Sequence, residues 1–322
     1  MRRQLWALIL ALFAFASPAF AQSDYPAKPI RMLIPSGAGG GIDILARIFS
    51  QRLSEQMGKQ IVVENQGGGG GTIAAAAVAR AAPDGYTLIF QAVNAVVNAV
   101  VLTQLPYDPV KDFAPVTLVA RFPLVLVVNP AIPAKDLRQF IDLLRKNPGK
   151  YNYGSAGHAT GTHLAAEWFR TLARVDIVHV PYKGTGAVTP DLVSGRISMM
   201  INGLPAETPN IKSGKVRALA VTTTSWAETL PDVPAMAEVL AGYDIPFWTA
   251  IFAPAKTPPV IIERLAAETR RAARTPQTIE RLRELGAEGV GSTPAEFEAY
   301  WQQQLALYAR IVKETNIKLN PN

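Results

Sequence analysis

Two rhythms of apolar residues alternate along this chain: short, nearly unbroken apolar blocks, and longer stretches in which apolar residues return every third or fourth position. The first rhythm predicts buried strands and the second amphipathic helices. Residues 30–34 read as a strand, and Ile44, Leu45, Ile48, Phe49 and Leu53 lie on one face of a helix over 42–57. A strand at 61–63, a helix at 73–81 and a strand at 87–90 follow. After Pro123 the alternation restarts with a strand at 124–128, a helix at 137–146, a strand at 151–155, a helix at 161–172 and a strand at 176–180. Strands at 197–201 and 216–222 complete this second unit. Three helices then close the chain at 258–274, 276–285 and 294–315, each opening with proline near its first turn, where a missing N–H does no harm.

Strands alternating with helices imply mostly parallel sheets covered by helices. A chain of 322 residues exceeds what one core usually serves, so two lobes are expected. The spacing predicts a crossing near 120–123 and a return near 222–225. That divides the chain into residues 22–122 with 223–322 and residues 123–222. Two crossings make a hinge, and ligand crevices in open sheets lie at the carboxyl ends of the strands. Two such lobes facing each other would close on a solute.

The N-terminus has a different character. Arg2 and Arg3 precede an apolar run over 5–15, and Ala19 and Ala21 supply small residues where a signal peptidase reads, so cleavage is expected after Ala21. The run is shorter than the roughly 20 apolar residues of a spanning helix. No other stretch is long enough, so an exported, soluble mature chain is expected. There is no cysteine, hence no disulfide. The 32 Lys and Arg against 25 Asp and Glu give +7, falling to +5 once Arg2 and Arg3 are lost. These basic residues are scattered, which argues against nucleic acid and leaves a mild bias toward anions.

Glycine-rich turns carry the candidate chemistry. Ser36, Gly37, Ala38, Gly39, Gly40 and Gly41 link the first strand to its helix, with Asp43 in the first turn; Gly67 to Gly71 do the same one unit later. Such turns bare N–H groups at helix starts, where an anion binds, although a tight turn with no ligand has the same spacing. A phosphate loop would need lysine after the last glycine, where Ile42 stands, and a dinucleotide fingerprint would need glycine at position 42 or 72. In the second lobe Ser155, Gly157, His158, Ala159 and Thr160 form a matching turn whose hydroxyls suit a carboxylate, or simply cap the helix. Tyr182 and Lys183 offer an aromatic wall and a cation in a third turn.

Enzyme chemistry finds little support. His158 and His163 are five apart and would face differently on a helix, no cysteine is present, and no Gly-x-Ser-x-Gly elbow sharpens a serine. Ser155 paired with His158 or His163 is the remaining hydrolase-like arrangement, while a buried hydrogen bond that steadies the loop suits His163 better. No metal or cofactor is expected.

From Tyr25-Pro26-Ala27-Lys28-Pro29-Ile30-Arg31 almost to the C-terminus, the chain resembles the extracytoplasmic solute-binding proteins of tripartite tricarboxylate transporters, the Bug-type receptors. The matching blocks include Pro83-Asp84-Gly85-Tyr86-Thr87-Leu88, Leu105-Pro106-Tyr107-Asp108-Pro109, Asn147-Pro148-Gly149-Lys150, His179-Val180-Pro181-Tyr182-Lys183-Gly184 and Leu230-Pro231-Asp232-Val233-Pro234. The resemblance implies a periplasmic-binding-protein-like clamshell, or Venus flytrap, in the periplasm. It implies capture of a mono-, di- or tricarboxylate, aromatic acids included, and delivery to a permease of a large and a small subunit. A receptor feeding a sensor system is the alternative. No reaction and a monomeric state are expected. The family's site maps onto the 36–41 loop with Asp43 and onto Ser155 to Thr160, and by resemblance alone onto Asn202 and Trp248. Where the family commonly writes Pro-Phe-x-Pro-Gly-Gly, this chain has Pro35-Ser36-Gly37-Ala38-Gly39-Gly40. A hydroxyl in place of an aromatic lip implies a wider or more polar pocket.

Overall fold

The computed structural model describes residues 25–224 and 227–315, and its strands form two sheets, one per half of the expected clamshell. The expected export signal and its cleavage point lie outside the described residues. The chain runs β1 (Ile30–Ile34), α1 (Gly41–Met57), β2 (Ile61–Asn65), α2 (Thr72–Ala79), β3 (Thr87–Ala92), α3 (Asn94–Val101), β4 (Phe113–Phe122) and β5 (Leu124–Val128). It continues through α4 (Leu137–Lys146), β6 (Asn152–Ser155), α5 (Gly161–Ala173), β7 (Val178–Pro181), α6 (Val188–Val193), β8 (Met199–Gly203), α7 (Leu204–Lys212) and β9 (Arg217–Val221). It ends with β10 (Phe247–Pro254), α8 (Pro259–Ala273), α9 (Pro276–Glu284), β11 (Glu288–Gly289) and α10 (Pro294–Thr315).

The six-stranded sheet has the order β11-β4-β10-β3-β1-β2 and the five-stranded sheet β7-β6-β8-β5-β9. The predicted elements fall where the hydrophobic rhythm put them, within a few residues at each end. Strand β5 is buried at every position, as an all-aliphatic run requires. Helix α4 buries Leu137, Phe140, Ile141 and Leu144 along one face, and Asp136 caps it by accepting from the Gln139 N–H at 2.8 Å.

One expectation is corrected. The sheets are mixed rather than mostly parallel: four of the nine strand pairings among the described residues are parallel and five antiparallel. The antiparallel pairings belong to the strands around the crossings, because a chain that leaves one sheet through β4 and re-enters it through β10 brings those strands side by side in opposite directions. Neither β4 nor β10 stands out by periodicity; each is an apolar run beside prolines, ambiguous on pattern alone. Helices α3, α6 and α7 are also additions: α3 is apolar nearly all round, α6 has six residues, and α7 carries Pro205 and Pro209.

The outgoing crossing is the single residue Pro123 between β4 and β5. After β9 the chain stays beside the second sheet for some distance. Ala235 bridges Val221, the Tyr243 hydroxyl donates to the Ala165 carbonyl at 2.8 Å, and the Tyr243 ring stacks on Trp168. Only with β10 does it rejoin the first sheet.

Candidate functional site

Between the sheets lies a small cavity of about 30 Å³. The first lobe contributes Ser36, Gly40, Gly41 and Ile42; the joining strands contribute Phe122 and Phe247; the second lobe contributes Ala156, Thr162, Thr185, Asn202 and Gly203. Most of these residues sit at helix starts. Gly40, Gly41 and Ile42 open α1, Thr162 lies in the first turn of α5, Gly203 precedes α7, and Thr185 opens a short 3₁₀ turn. Helix starts present N–H groups without intrahelical partners and a partial positive charge. Among the described residues no charged side chain lines the cavity. Its polar groups are backbone, hydroxyls and one amide, set among the apolar Ile42, Phe122, Ala156 and Phe247.

The first loop is braced from behind. The Asp43 carboxylate accepts from the Gly39 N–H at 2.9 Å, from Asn65 Nδ2 at 2.8 Å and from Arg47 Nε at 3.1 Å, and it does not line the cavity. Burial alone would raise its pKa, but the Arg47 guanidinium, the Gly39 N–H and Asn65 outweigh that and hold it below the ordinary carboxylate range. Asp43 therefore fixes the shape of the turn, with Gly39 at φ +81°. Ser36 is different. It is 8 % exposed, lines the cavity, and its hydroxyl has no hydrogen-bond partner.

In the second loop the hydroxyls bond inward. Thr160 caps α5, donating to the Gly157 carbonyl at 2.7 Å and accepting from the His163 N–H at 3.3 Å. Ser155 is fully buried; its Oγ accepts from the Gly157 N–H at 3.1 Å and lies 2.7 Å from His179 Nε2. Thr162, two residues past the cap, reaches the cavity and accepts from the Ala156 N–H at 3.0 Å. Gly157 (φ +122°) and Ala159 (φ +54°) give the loop its turn. So Ser155, Gly157, His158, Ala159 and Thr160 form the frame behind Ala156 and Thr162.

The three histidines, separate in sequence, come together behind that frame with ligating atoms all within 4.8 Å of one another. His163 and His179 stack at 4.0 Å and 12°, Tyr153 stacks on His179 at 4.8 Å, and His158 meets both histidines edge-on. Stacked imidazoles direct their lone pairs in nearly parallel planes, so this pair does not converge on one ion, and Ala159 N–H and Ser155 Oγ each engage a ring nitrogen. Burial, reinforced by the neighbouring histidines, pushes His163 down to about 3 and His179 to about 4. Both rings are neutral at pH 7. The hydrogen bond expected of His163 is present: its Nδ1 accepts from the Ala159 N–H at 3.3 Å.

The remaining sequence candidates divide. Asn202 lines the cavity; its Nδ2 donates to Glu207 Oε1 at 2.6 Å and its Oδ1 accepts from the Gly203 N–H at 2.8 Å, which fixes its amide. Burial pushes the Glu207 carboxyl up against hydrogen bonds from Asn202 and Asn210. Gly37, Ala38 and Gly39 meet residues 183–186 of the second lobe at the rim. Lys183 is exposed and contributes its backbone carbonyl there, accepting from the Gly37 N–H at 2.9 Å. The Tyr182 hydroxyl donates to Asp191 at 2.7 Å, away from the cavity. Trp248 is a correction to the resemblance. It is fully buried in the first lobe, donating from Nε1 to Gln304 at 3.0 Å amid Phe297 and Trp301, because neighbours on a strand point to opposite faces and Phe247 holds the cavity side.

Sequence reasoning missed Ile42, Phe122, Ala156, Thr162, Thr185, Gly203 and Phe247. Thr162 and Thr185 carried a legible signal, a hydroxyl beside glycine at a turn-to-helix junction; the two phenylalanines carried none until β4 and β10 were known. Behind the joining strands a larger cavity of about 540 Å³ shares Phe122 and Phe247 with the first.

Residues 45–317 match the family model described as tripartite tricarboxylate transporter family receptor. Protein BugT of Bordetella pertussis is 33% identical over 97% of this chain and 96% of its own length. Among solved structures, one described as a periplasmic transporter superposes with TM-score 0.89 at 41% identity, covering 92% of this chain and 100% of its own. The Rhodopseudomonas palustris protein Rpa4515, solved with adipate, gives TM-score 0.88 at 34% identity over 91% of this chain and 99% of its own.

Proposed function

The chain belongs to the tripartite tricarboxylate transporter receptor family, and from that membership we propose that it captures a small organic carboxylate between its two lobes and presents it to a membrane permease. One observation carries the reading. Helix starts from both lobes line one cavity that contains hydroxyls and an amide but no charged side chain. An anion bridging them gains charge-assisted bonds from both sides, which favours the closed arrangement over the open one by the difference in affinity. The ligand in this reading is a mono-, di- or tricarboxylate, aromatic acids included, and the adipate with which the R. palustris relative was solved supports the dicarboxylate class.

The ligand-contact residues in this reading are Ser36, Gly40, Gly41, Thr162, Thr185 and Asn202. Asp43, Ser155, Thr160 and His163 position them. The protein works in the periplasm, as its family's receptors do. The export signal with cleavage after Ala21, the monomeric state, the absence of catalysis and a permease of large and small subunits complete the proposal. The lobes in this reading are residues 22–122 with 246–322 and residues 123–245, a later return than the 222–225 read from the sequence, because Ala235 and Tyr243 hold to the second lobe.

A thermal-shift panel of mono-, di- and tricarboxylates tests it. A binder is stabilised in proportion to ln(1 + [L]/Kd), and the acid is recovered unchanged by mass spectrometry. Consumption of the acid, or no shift with any of the three classes, contradicts the proposal.

A further inference from the structure

Two glycines among the described residues have no reason to be glycine within their own lobe. Gly37 and Gly186 hold backbone conformations open to any residue, unlike Gly39 or Gly184, whose φ values are +81° and +152°. What surrounds each of them is the other lobe. A Cβ on Gly37 would stand 3.2 Å from the Lys183 carbonyl oxygen, and one on Gly186 would overlap the Ala38 carbonyl. Across the same seam the Gly37 N–H donates to the Lys183 carbonyl at 2.9 Å. Gly67 lies in the same place, where a Cβ would stand 2.5 Å from the Lys183 oxygen, but that Cβ would also be crowded by Ser36 and Gly37 of its own lobe, so this glycine is less diagnostic.

We propose that Gly37 and Gly186 form a backbone latch: main chain meets main chain at the mouth of the cleft, and these positions are glycine because the closed arrangement leaves no room for a side chain. The inference rests on the clamshell reading above and adds to it a device separate from the ligand. Ordinary glycines cost stability through the entropy of the unfolded chain, so two of them facing each other's loops without a φ requirement point to a contact that only closure makes. The latch contacts are protein to protein. The closed form is therefore populated before any acid arrives, and apparent affinity scales with that population.

Gly186→Ala is the direct variant and Gly37→Ala the milder one, since its Cβ is tight rather than overlapping. The chain contains no cysteine, so spin labels go cleanly onto Ile73→Cys in the first lobe and Val178→Cys in the second, both half exposed. Electron–electron resonance distances are read in buffer and with adipate. In buffer the unsubstituted pair gives a bimodal distribution that adipate shifts to its closed peak; Gly186→Ala lacks the closed peak in buffer and Gly37→Ala reduces it. A closed population lowered about tenfold raises the apparent Kd about tenfold. Should Gly186→Ala fail to fold by circular dichroism, Gly37→Ala decides. Distributions in buffer identical to the parent for the folded variants overturn the latch, whether or not adipate binds. A parent protein that shows the closed peak and binds no carboxylate overturns the functional reading and leaves the latch standing.

Discussion

Phe122 and Phe247 face each other as cross-strand partners on the two strands that join the lobes, their rings 5.3 Å apart and inclined at 54°. Each ring rests on glycines that begin helices or precede them. Phe122 lies against Gly41 and Gly203, at the openings of α1 and α7 in different lobes, and Phe247 lies against Gly161 at the opening of α5. The pair is thus the floor of the inter-lobe cavity and a stop for three helix starts. Phe247→Ala removes a buried ring and is expected to lower stability by about 3–5 kcal/mol in denaturant unfolding, with loss of carboxylate affinity. Full affinity with lowered stability alone would separate the floor from the site.

Ser36→Ala should move stability and binding in opposite directions. An unsatisfied buried hydroxyl costs about 1–3 kcal/mol, so its removal leaves the unliganded protein as stable or more so. Its bond to a bound carboxylate is then missing, which weakens binding by about 1.5–3 kcal/mol. Calorimetry reads the second effect and thermal melting without acid the first.

Thr160→Ala acts through the frame. The hydroxyl it loses caps α5 and holds the Gly157 carbonyl. Stability should fall by about 0.5–2 kcal/mol, with Thr160→Ser retaining most of it. Affinity follows only as far as Ala156 and Thr162 shift, so a Thr160→Ala protein with wild-type stability and abolished binding would instead make Thr160 a direct ligand contact.

The histidine stack predicts a pH dependence of folding. The folded chain holds His163 and His179 neutral, with pKa values pushed down to about 3 and about 4, while the unfolded chain titrates near 6.5. The unfolded state therefore binds more protons between those limits. Stability present above about pH 6.5 is lost progressively as pH falls toward 4. Unfolding measured from pH 7 to pH 4 should show this decline, and His163→Gln should flatten it; equal slopes for both proteins would contradict the assignment.

Much of the architecture was legible because buried strands and amphipathic helices leave different periods in the chain. Helix α10 was bounded as the structure has it, its Pro294 start and long apolar stripe both visible. What periodicity concealed were β4 and β10, apolar runs beside prolines, and with them the mixed sheets and the Phe122–Phe247 floor. At the candidate site, glycine turns pointed to the first loop, of which Ser36, Gly40 and Gly41 line the cavity. Hydroxyl type alone could not tell a cap from a contact. Thr160 bonds its own helix while Thr162, a residue of the same chemistry, reaches the cavity. Trp248 entered by resemblance alone, yet on a strand the neighbouring Phe247 owns the cavity face.

The crystal structure of the protein loaded with the acid that gives the largest thermal shift tests the central claim most directly. Carboxylate oxygens are expected within about 3 Å of N–H or hydroxyl donors from both lobes, at the starts of α1 and α5, with no cationic side chain in contact. An acid bound through the Lys183 ammonium, or seated in the 540 Å³ cavity behind Phe122 and Phe247, would contradict it.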